Sequence, residues 1–324
     1  MTSYREAGVD LEAGDRHVRG IAETVVGTWG DEVIGGFGGF AAGVEIPADM
    51  RRPVLMMSAD GVGTKLELAR RAGIWGGVGR DLVAMCVDDL AAVGARPLGL
   101  VDYLAVGALR PDRDSAIVSS VAEGCRLAGC PLLGGETAEH PGVMPPDAVD
   151  LAGAVMGAVE KGEELGPHRV EQGDVVVGLR SPNLRSNGFS LVRAALGDTA
   201  MDHAKQLLEP SVIYTPAVLE AAATGAVHSA AHVTGGGIAA NLARALGPEH
   251  GVIVEKRSWQ PPPVFEMVAS AGVSEDEMYR VFNMGIGFCL VVSSHGLDEV
   301  LSTVAAHEPM TLGEIHSRRG VELV

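Results

Sequence analysis

The sequence predicts a two-domain α/β (α+β) protein, and three observations carry that expectation. Apolar strand-like runs alternate with helical periods along 324 residues, 47% of them hydrophobic, enough to bury one large or two ordinary cores. A polar, charged, glycine-containing tract at 160–174, EKGEELGPHRVEQGD, interrupts the alternation. A second series of strands and helices follows it. We therefore expect domains at 1–165 and 166–324.

Taken in order, residues 1–30 read as a leading arm and a helix opened by Gly14-Asp15, with Val18, Ile21 and Val25 at helical spacing. Residues 35–43, GGFGGFAAG, form a glycine-rich loop anchored by Phe37 and Phe40. Its glycines either admit a phosphate to backbone N–H groups or make a flexible turn. The pattern Gly36-x-Gly38-x-x-Ala41 fits a dinucleotide fingerprint on paper. That fingerprint needs a helix at once, whereas VEIPADMRRP follows, so NAD is set aside. Val54–Ala59 reads as a buried strand, 79–94 as a helix, Pro97–Val106 as a strand broken by Asp102, 112–128 as a helix, Pro131–Leu133 as a short strand and Asp150–Val159 as another. In the second half Val175–Leu179, His228–Val233 and Ile286–Val292 read as strands, and Pro261–Ala271 as a helix. Ser186-Asn187-Gly188 opens the helix FSLVRAAL, and Thr234-Gly235-Gly236-Gly237 opens IAANLARAL. Such helix starts leave free N–H groups that favour an anion, or serve as ordinary caps. Three successive glycines are costly for a plain cap, which argues for close backbone approach there.

The stretch 58–89 carries the chemistry. A strand ends on Asp60, and Gly61, Gly63, Thr64 and Lys65 follow. The next helix then presents Asp81, Asp88 and Asp89, the first two on one face. Carboxylates suit a hard cation and lysine suits a phosphoryl group, so this is a candidate nucleotide–magnesium site: Asp60, Asp81 and Asp89 as ligands, with Asp88 able to join them. Lysine occurs at only four positions, 65, 161, 205 and 256, so Lys65 is not background. Net charge is −17, which argues against nucleic acid and anionic membrane as partners. No apolar run reaches the roughly 18 residues of a span, and the N-terminus lacks a signal-like apolar region; a cytoplasmic protein is expected. Cys86, Cys125, Cys130 and Cys289 form no CxxC and read as core thiols.

The motifs SYREAGVD, GGFGGF, ADGVGTK, DLVAMCVDDL, DYLAVG, GGETAEHPG, SNGFSLVR, HVTGGG and FNMGIGF occur in one order from residue 3 to 288. Together they resemble the aminoimidazole ribonucleotide synthetase (phosphoribosylformylglycinamidine cyclo-ligase) family. The resemblance implies a homodimer whose N-terminal sheets join into a barrel, with a sandwich-like C-terminal α/β domain. It implies ATP and Mg²⁺ as cofactors, with K⁺ a further cation to test, and a small ribonucleotide as substrate. The implied reaction phosphorylates a formamide oxygen, after which an amidine nitrogen attacks the activated carbon and phosphate leaves. On this resemblance Gly38, Gly39, Glu136 and Thr137 join Asp60, Gly61, Gly63, Thr64, Lys65 and Asp88 near the nucleotide. Ser186, Asn187, Gly188 and Thr234 to Gly237 hold the substrate side.

The chain departs from the family pattern at Ala22, where a lysine is usual, and at Ala59, where a threonine is usual. It departs again at Ser211 and Val212, and at Arg185, which stands where a histidine precedes SNG. Arg185 is no base near neutral pH but suits a phosphate, so it is carried with Asp89 and Lys65 as a candidate catalytic residue. Because these departures are expected to border the substrate cleft, a second reading stays open: a paralogous kinase, dehydratase or ligase that activates another amide.

Overall fold

The computed structural model describes residue 8 and residues 10–324; most of the expected leading arm lies outside them. Helix α1 (Leu11–Val26) starts earlier than Gly14-Asp15 suggested, because the Asp10 carboxylate caps it by accepting from the Ala13 N–H at 3.2 Å. The glycine-rich segment is a hairpin between two antiparallel two-residue strands, β1 (Val33–Ile34) and β2 (Gly43–Val44). Phe37 packs against the core, but Phe40 is fully exposed and anchors nothing among the described residues.

The first sheet contains β3 (Pro53–Gly61), β4 (Arg96–Val106), β5 (Leu132–Glu139) and β6 (Val149–Glu160), in the order β3-β6-β4-β5. Only the β4–β5 pair is parallel. One face is covered by α3 (Val78–Ala92) and α4 (Pro111–Ala128), with α1 beside α4, while α2 (Lys65–Ala72) leads from β3 into α3. Pro111 at the first turn and left-handed Gly129 at the end fix the limits of α4. The opposite face is open: Leu55, Met57, Val101 and Tyr103 are exposed, Met57 by 75%. The apolar run 54–59 is therefore not a buried strand; its alternate residues face out. Strand β5 also runs further than expected, through Gly134-Gly135-Glu136-Thr137, because it pairs with β4 along its whole length.

The second sheet has the order β12-β9-β11-β7-β10-β8 and is antiparallel except for β12–β9. Its strands are β7 (Val175–Arg180), β8 (Val227–His232), β9 (Gly251–Val254), β10 (Ile286–Val292), β11 (Met310–His316) and β12 (Gly320–Leu323). Helix α8 (Gly237–Leu246) covers one face; α7 (Thr215–Ala223) and α11 (Leu297–Thr303) cover the other. The sequence reading missed β9, β11 and β12, whose short, mixed patterns are pinned by their neighbours rather than by period. Helices α5 (Phe189–Leu196), α6 (Ala204–Leu207), α9 (Pro263–Ser270) and α10 (Glu275–Val281) complete the fold. Phe189, Phe265 and Phe282 from this half pack into the same core as Leu82 and Val83 of α3, so the two halves share one apolar interior. The four cysteines are buried and unbridged.

Candidate active site

The turn after β3 delivers Asp60, Gly61, Gly63 and Thr64 to the groove between the halves. Across it lie the starts of α5 and α8. Ser186 Oγ donates to the Val62 carbonyl at 3.0 Å, and Thr64 Oγ1 lies 3.0 Å from Ser190 Oγ. Asn187 borders Gly235, so the Ser186–Gly188 and Thr234–Gly237 turns form one wall. The glycines of that wall are partly structural. A Cβ at Gly237 would lie 2.1 Å from the Tyr279 carbonyl oxygen, so the close approach read from three glycines is to the end of α10.

Asp60 and Asp89 face this groove. Asp60 takes one hydrogen bond, from the Gly61 N–H at 2.7 Å. Desolvation, with the Asp89 charge adding to it, raises its pKa. The residue itself is exposed to the groove, so the carboxylate is open to a ligand. Desolvation pushes Asp89 the same way, but hydrogen bonds from His232 and Ser58 outweigh it and hold its pKa below the ordinary value. His232 Nδ1 lies 2.9 Å from Asp89 Oδ1, and Ser58 Oγ donates to Oδ2 at 3.0 Å. The side chain remains 44% exposed. A cleft of about 390 Å³ opens beside it, with Met57, Asn241 and Arg244 in its wall.

Asp81 and Asp88 do not join them, and this corrects the expectation of a three- or four-carboxylate metal cluster. Both are fully buried. Asp81 pairs with Lys65 at 2.7 Å and accepts from Ser211 N–H and Oγ at 2.9 and 2.6 Å. Lys65, fully buried as well, spends its remaining donors on the Arg185 and Glu209 carbonyls. Burial lowers its pKa against the pull of Asp81. It faces no groove and cannot meet a phosphoryl group in this conformation. Asp88 accepts from Arg185 Nη2 at 2.7 Å and from the Tyr214 N–H, Thr215 N–H and Thr215 Oγ1 at 2.9, 3.0 and 2.9 Å. Arg185 is likewise sealed, so it contacts no ligand here. The Asp88–Arg185 ion pair crosses between the halves, whereas the Lys65–Asp81 pair lies within the first half and reaches the 181–215 segment through hydrogen bonds with Arg185, Glu209 and Ser211.

Gly38, Gly39, Glu136 and Thr137 sit elsewhere. They line a cavity of about 140 Å³ under α1, at the β5 edge of the sheet. From β3 to β5 is three strand spacings, about 14 Å. The floor of this cavity is Asp102, a residue the sequence reading noted only as an interruption. It lies in register with Asp60 through Gly153, and Gly135 has no side chain because a Cβ there would sit 2.1 Å from Asp102 Oδ1. Burial raises the Asp102 pKa to about 7. His232 was missed too; its only signal was its place two residues before the glycine turn.

Against this geometry, the comparisons agree along the chain. Residues 41–159 match the family described as AIR synthase related protein, N-terminal domain, and residues 171–324 match its C-terminal domain. A phosphoribosylformylglycinamidine cyclo-ligase of Synechococcus sp. (strain CC9605) is 42% identical over 329 residues, covering 97% of this chain and 95% of the relative. The chain belongs to the phosphoribosylformylglycinamidine cyclo-ligase family. The cyclo-ligase of Burkholderia multivorans is also 42% identical, over 98% of this chain and 94% of its own. The fold is shared more widely than the family. The solved hydrogenase maturation protein HypE, in complex with ATP, superposes with a TM-score of 0.68 at 18% identity, covering 98% of this chain and 94% of that one.

Proposed function

We propose that this chain is an ATP-dependent cyclo-ligase that converts formylglycinamidine ribonucleotide to aminoimidazole ribonucleotide in purine biosynthesis. The observation that carries the reading is 42% identity to a cyclo-ligase over 97% of the chain, which spans both halves. The chemistry transfers the γ-phosphoryl group of ATP to the formamide oxygen. The amidine nitrogen then attacks that carbon, and the C–O bond breaks to release phosphate, with a proton lost from the nitrogen. Water competes for the same activated carbon, so the groove must hold the amine close and exclude solvent.

The residues present fit Mg²⁺ in a two-carboxylate form. Mg²⁺ keeps most of its shell as water and phosphate oxygens and takes one or two carboxylates from the protein. Asp60 and Asp89 supply that number, and Asp60, with one hydrogen bond from Gly61 N–H, keeps acceptor sites open. When bound, the metal neutralises phosphate charge during transfer. The Ser186–Gly188 and Thr234–Gly237 turns, with free N–H groups at the starts of α5 and α8, are the proposed seat of the substrate phosphate. The cavity under α1, with Gly38, Gly39 and Thr137, is assigned to the nucleotide side.

The paralogue reading loses its main support. Arg185 and Ser211, two departures that suggested a different substrate, are buried behind the groove, Arg185 paired with Asp88 and Ser211 hydrogen-bonded to Asp81. The Val212 carbonyl accepts from Arg185 rather than lining the site. Homodimerisation through the open sheet face is part of the proposal. Its exposed Leu55, Met57, Val101 and Tyr103 form a patch that a monomer would leave wet. Among the described residues no helix is long and apolar enough to cross a membrane. The test is ADP release that depends on formylglycinamidine ribonucleotide, with Mg²⁺ and K⁺ present. Absence of turnover with that substrate would sink the reading.

A further inference from the structure

We propose that Arg185 is a positioning residue for Asp89: its guanidinium fixes His232 as the Nδ1–H tautomer, and that ring N–H turns the Asp89 carboxylate toward the groove. The inference rests on the reading of Asp89 as a metal ligand. It goes further by placing the control of that ligand in the other half of the chain.

The contacts dictate the proton's place. Arg185 Nη2 has two hydrogens and no lone pair to offer. One hydrogen goes to Asp88 Oδ2 at 2.7 Å, and the other points at His232 Nε2 at 3.0 Å. A nitrogen facing an obligate donor must accept, so His232 Nε2 carries no proton. The ring proton is then on Nδ1, which donates to Asp89 Oδ1 at 2.9 Å. With Ser58 Oγ holding Oδ2 at 3.0 Å, both oxygens of Asp89 have a fixed donor while the carboxylate stays 44% exposed. Phe288 lies nearly parallel to the buried imidazole, centroids 6.0 Å apart at 22°.

Arg185 is itself held at unusual cost. Its φ is 58°, in the left-handed region that a long side chain seldom adopts. The Asn183 side chain accepts its N–H at 2.9 Å, Lys65 Nζ donates to its carbonyl at 2.9 Å, and Nη1 donates to the Val212 carbonyl at 2.9 Å. A backbone so constrained delivers the guanidinium to one place. An imidazole at position 185 has fewer donors and cannot serve Asp88, His232 and Val212 together, which gives arginine a reason to replace the family's usual histidine.

The primary test reads the tautomer in the unaltered protein. In protein labelled with ¹⁵N-histidine, the His232 signals, assigned by their loss in His232→Gln, should show a pyrrole-type Nδ1 and a pyridine-type Nε2. The reverse assignment, or averaged signals from both tautomers, overturns the proposal. In Arg185→Met the two tautomers should mix. The Mg²⁺ concentration for half-maximal ADP binding, read by calorimetry, should rise about 10-fold, the cost of losing a partner that orients a ligand. Arg185→Lys, which keeps a cationic donor, should recover part of it. A folded Arg185→Met that keeps a pure Nδ1–H tautomer and an unchanged Mg²⁺ midpoint contradicts it. The two readings fail separately. Mg²⁺-dependent ADP binding that is unchanged in Asp89→Asn removes the metal role of Asp89, whereas a reversed tautomer removes the role of Arg185.

Discussion

Asp88 and Asp89 are neighbours on α3, and their surroundings differ in every respect. Asp88 is sealed, accepts four hydrogen bonds and neutralises an arginine. Asp89 accepts two and keeps nearly half its surface in the groove. About 100° of helix rotation separates a weld from a reactive site. Asp81 and Asp60 repeat the contrast one step away: Asp81 is buried and tied to Lys65, and Asp60 is exposed with one hydrogen bond, from the Gly61 N–H. The acids flanking the glycine turn thus contain two populations, and burial with a cationic partner, not residue type, sorts them.

The largest expected effect breaks the weld. Asp88→Ala leaves Arg185 buried without a counter-ion and should lower unfolding free energy by about 3–5 kcal/mol. Asp89→Ala should change it by less than about 1 kcal/mol, both read by denaturant titration. Equal losses would erase the distinction. The second pair sharpens it. Lys65→Met should cost about 3 kcal/mol alone, and Lys65→Met with Asp81→Leu should cost less than the sum of the two single changes, since no buried charge is then left unpaired, although the Arg185 and Glu209 carbonyls and the Ser211 N–H and Oγ each lose a partner. A double variant as unstable as the sum of its parts would show that Lys65 and Asp81 do not act as a pair.

Asp102 provides a smaller effect with a defined pH signature. Its folded pKa is raised to about 7 from an unfolded value near 3.9. The folded state therefore holds a proton that the unfolded state releases between about pH 4 and 7, and stability from this group falls as pH rises through that window. Asp102→Asn should be more stable than the native protein by about 1–3 kcal/mol at pH 8, and the gain should vanish near pH 4. A pH-independent difference would contradict the burial argument. Smallest in stability is Met57→Glu on the open sheet face, within about 0.5 kcal/mol for the isolated chain. The same change should shift the sedimenting species from dimer to monomer. An unchanged dimer would place the interface elsewhere.

Much of this fold was legible from period and punctuation. Ile286–Val292 has the same bounds in sequence and structure, and α4 differs by one residue, because a proline and a left-handed glycine mark it. The turn at Asp60 to Thr64 and the two glycine-bearing helix starts were found for the same reason. Periodicity shows which face of α3 carries the acids, but not what covers that face. The covering groups come from distant residues: Arg185 is 97 positions from Asp88, and Ser211 is 130 from Asp81. That is why Lys65, Asp81, Asp88 and Arg185 read as a reactive set. Asp102 and His232 left fainter marks, an acid in an apolar strand and a histidine before a glycine turn. Their roles follow from register and packing, which no local pattern encodes.

The central claim is that Asp60 and Asp89, and not their buried neighbours, meet the metal of a phosphoryl-transfer site. Calorimetric ADP binding with and without Mg²⁺, on Asp89→Asn and Asp60→Asn proteins first shown to be folded, tests it most directly. The account predicts that each variant loses the Mg²⁺-dependent part of the affinity, by more than the roughly 10-fold expected for an outer partner. Undiminished Mg²⁺-dependent binding in both variants would contradict it.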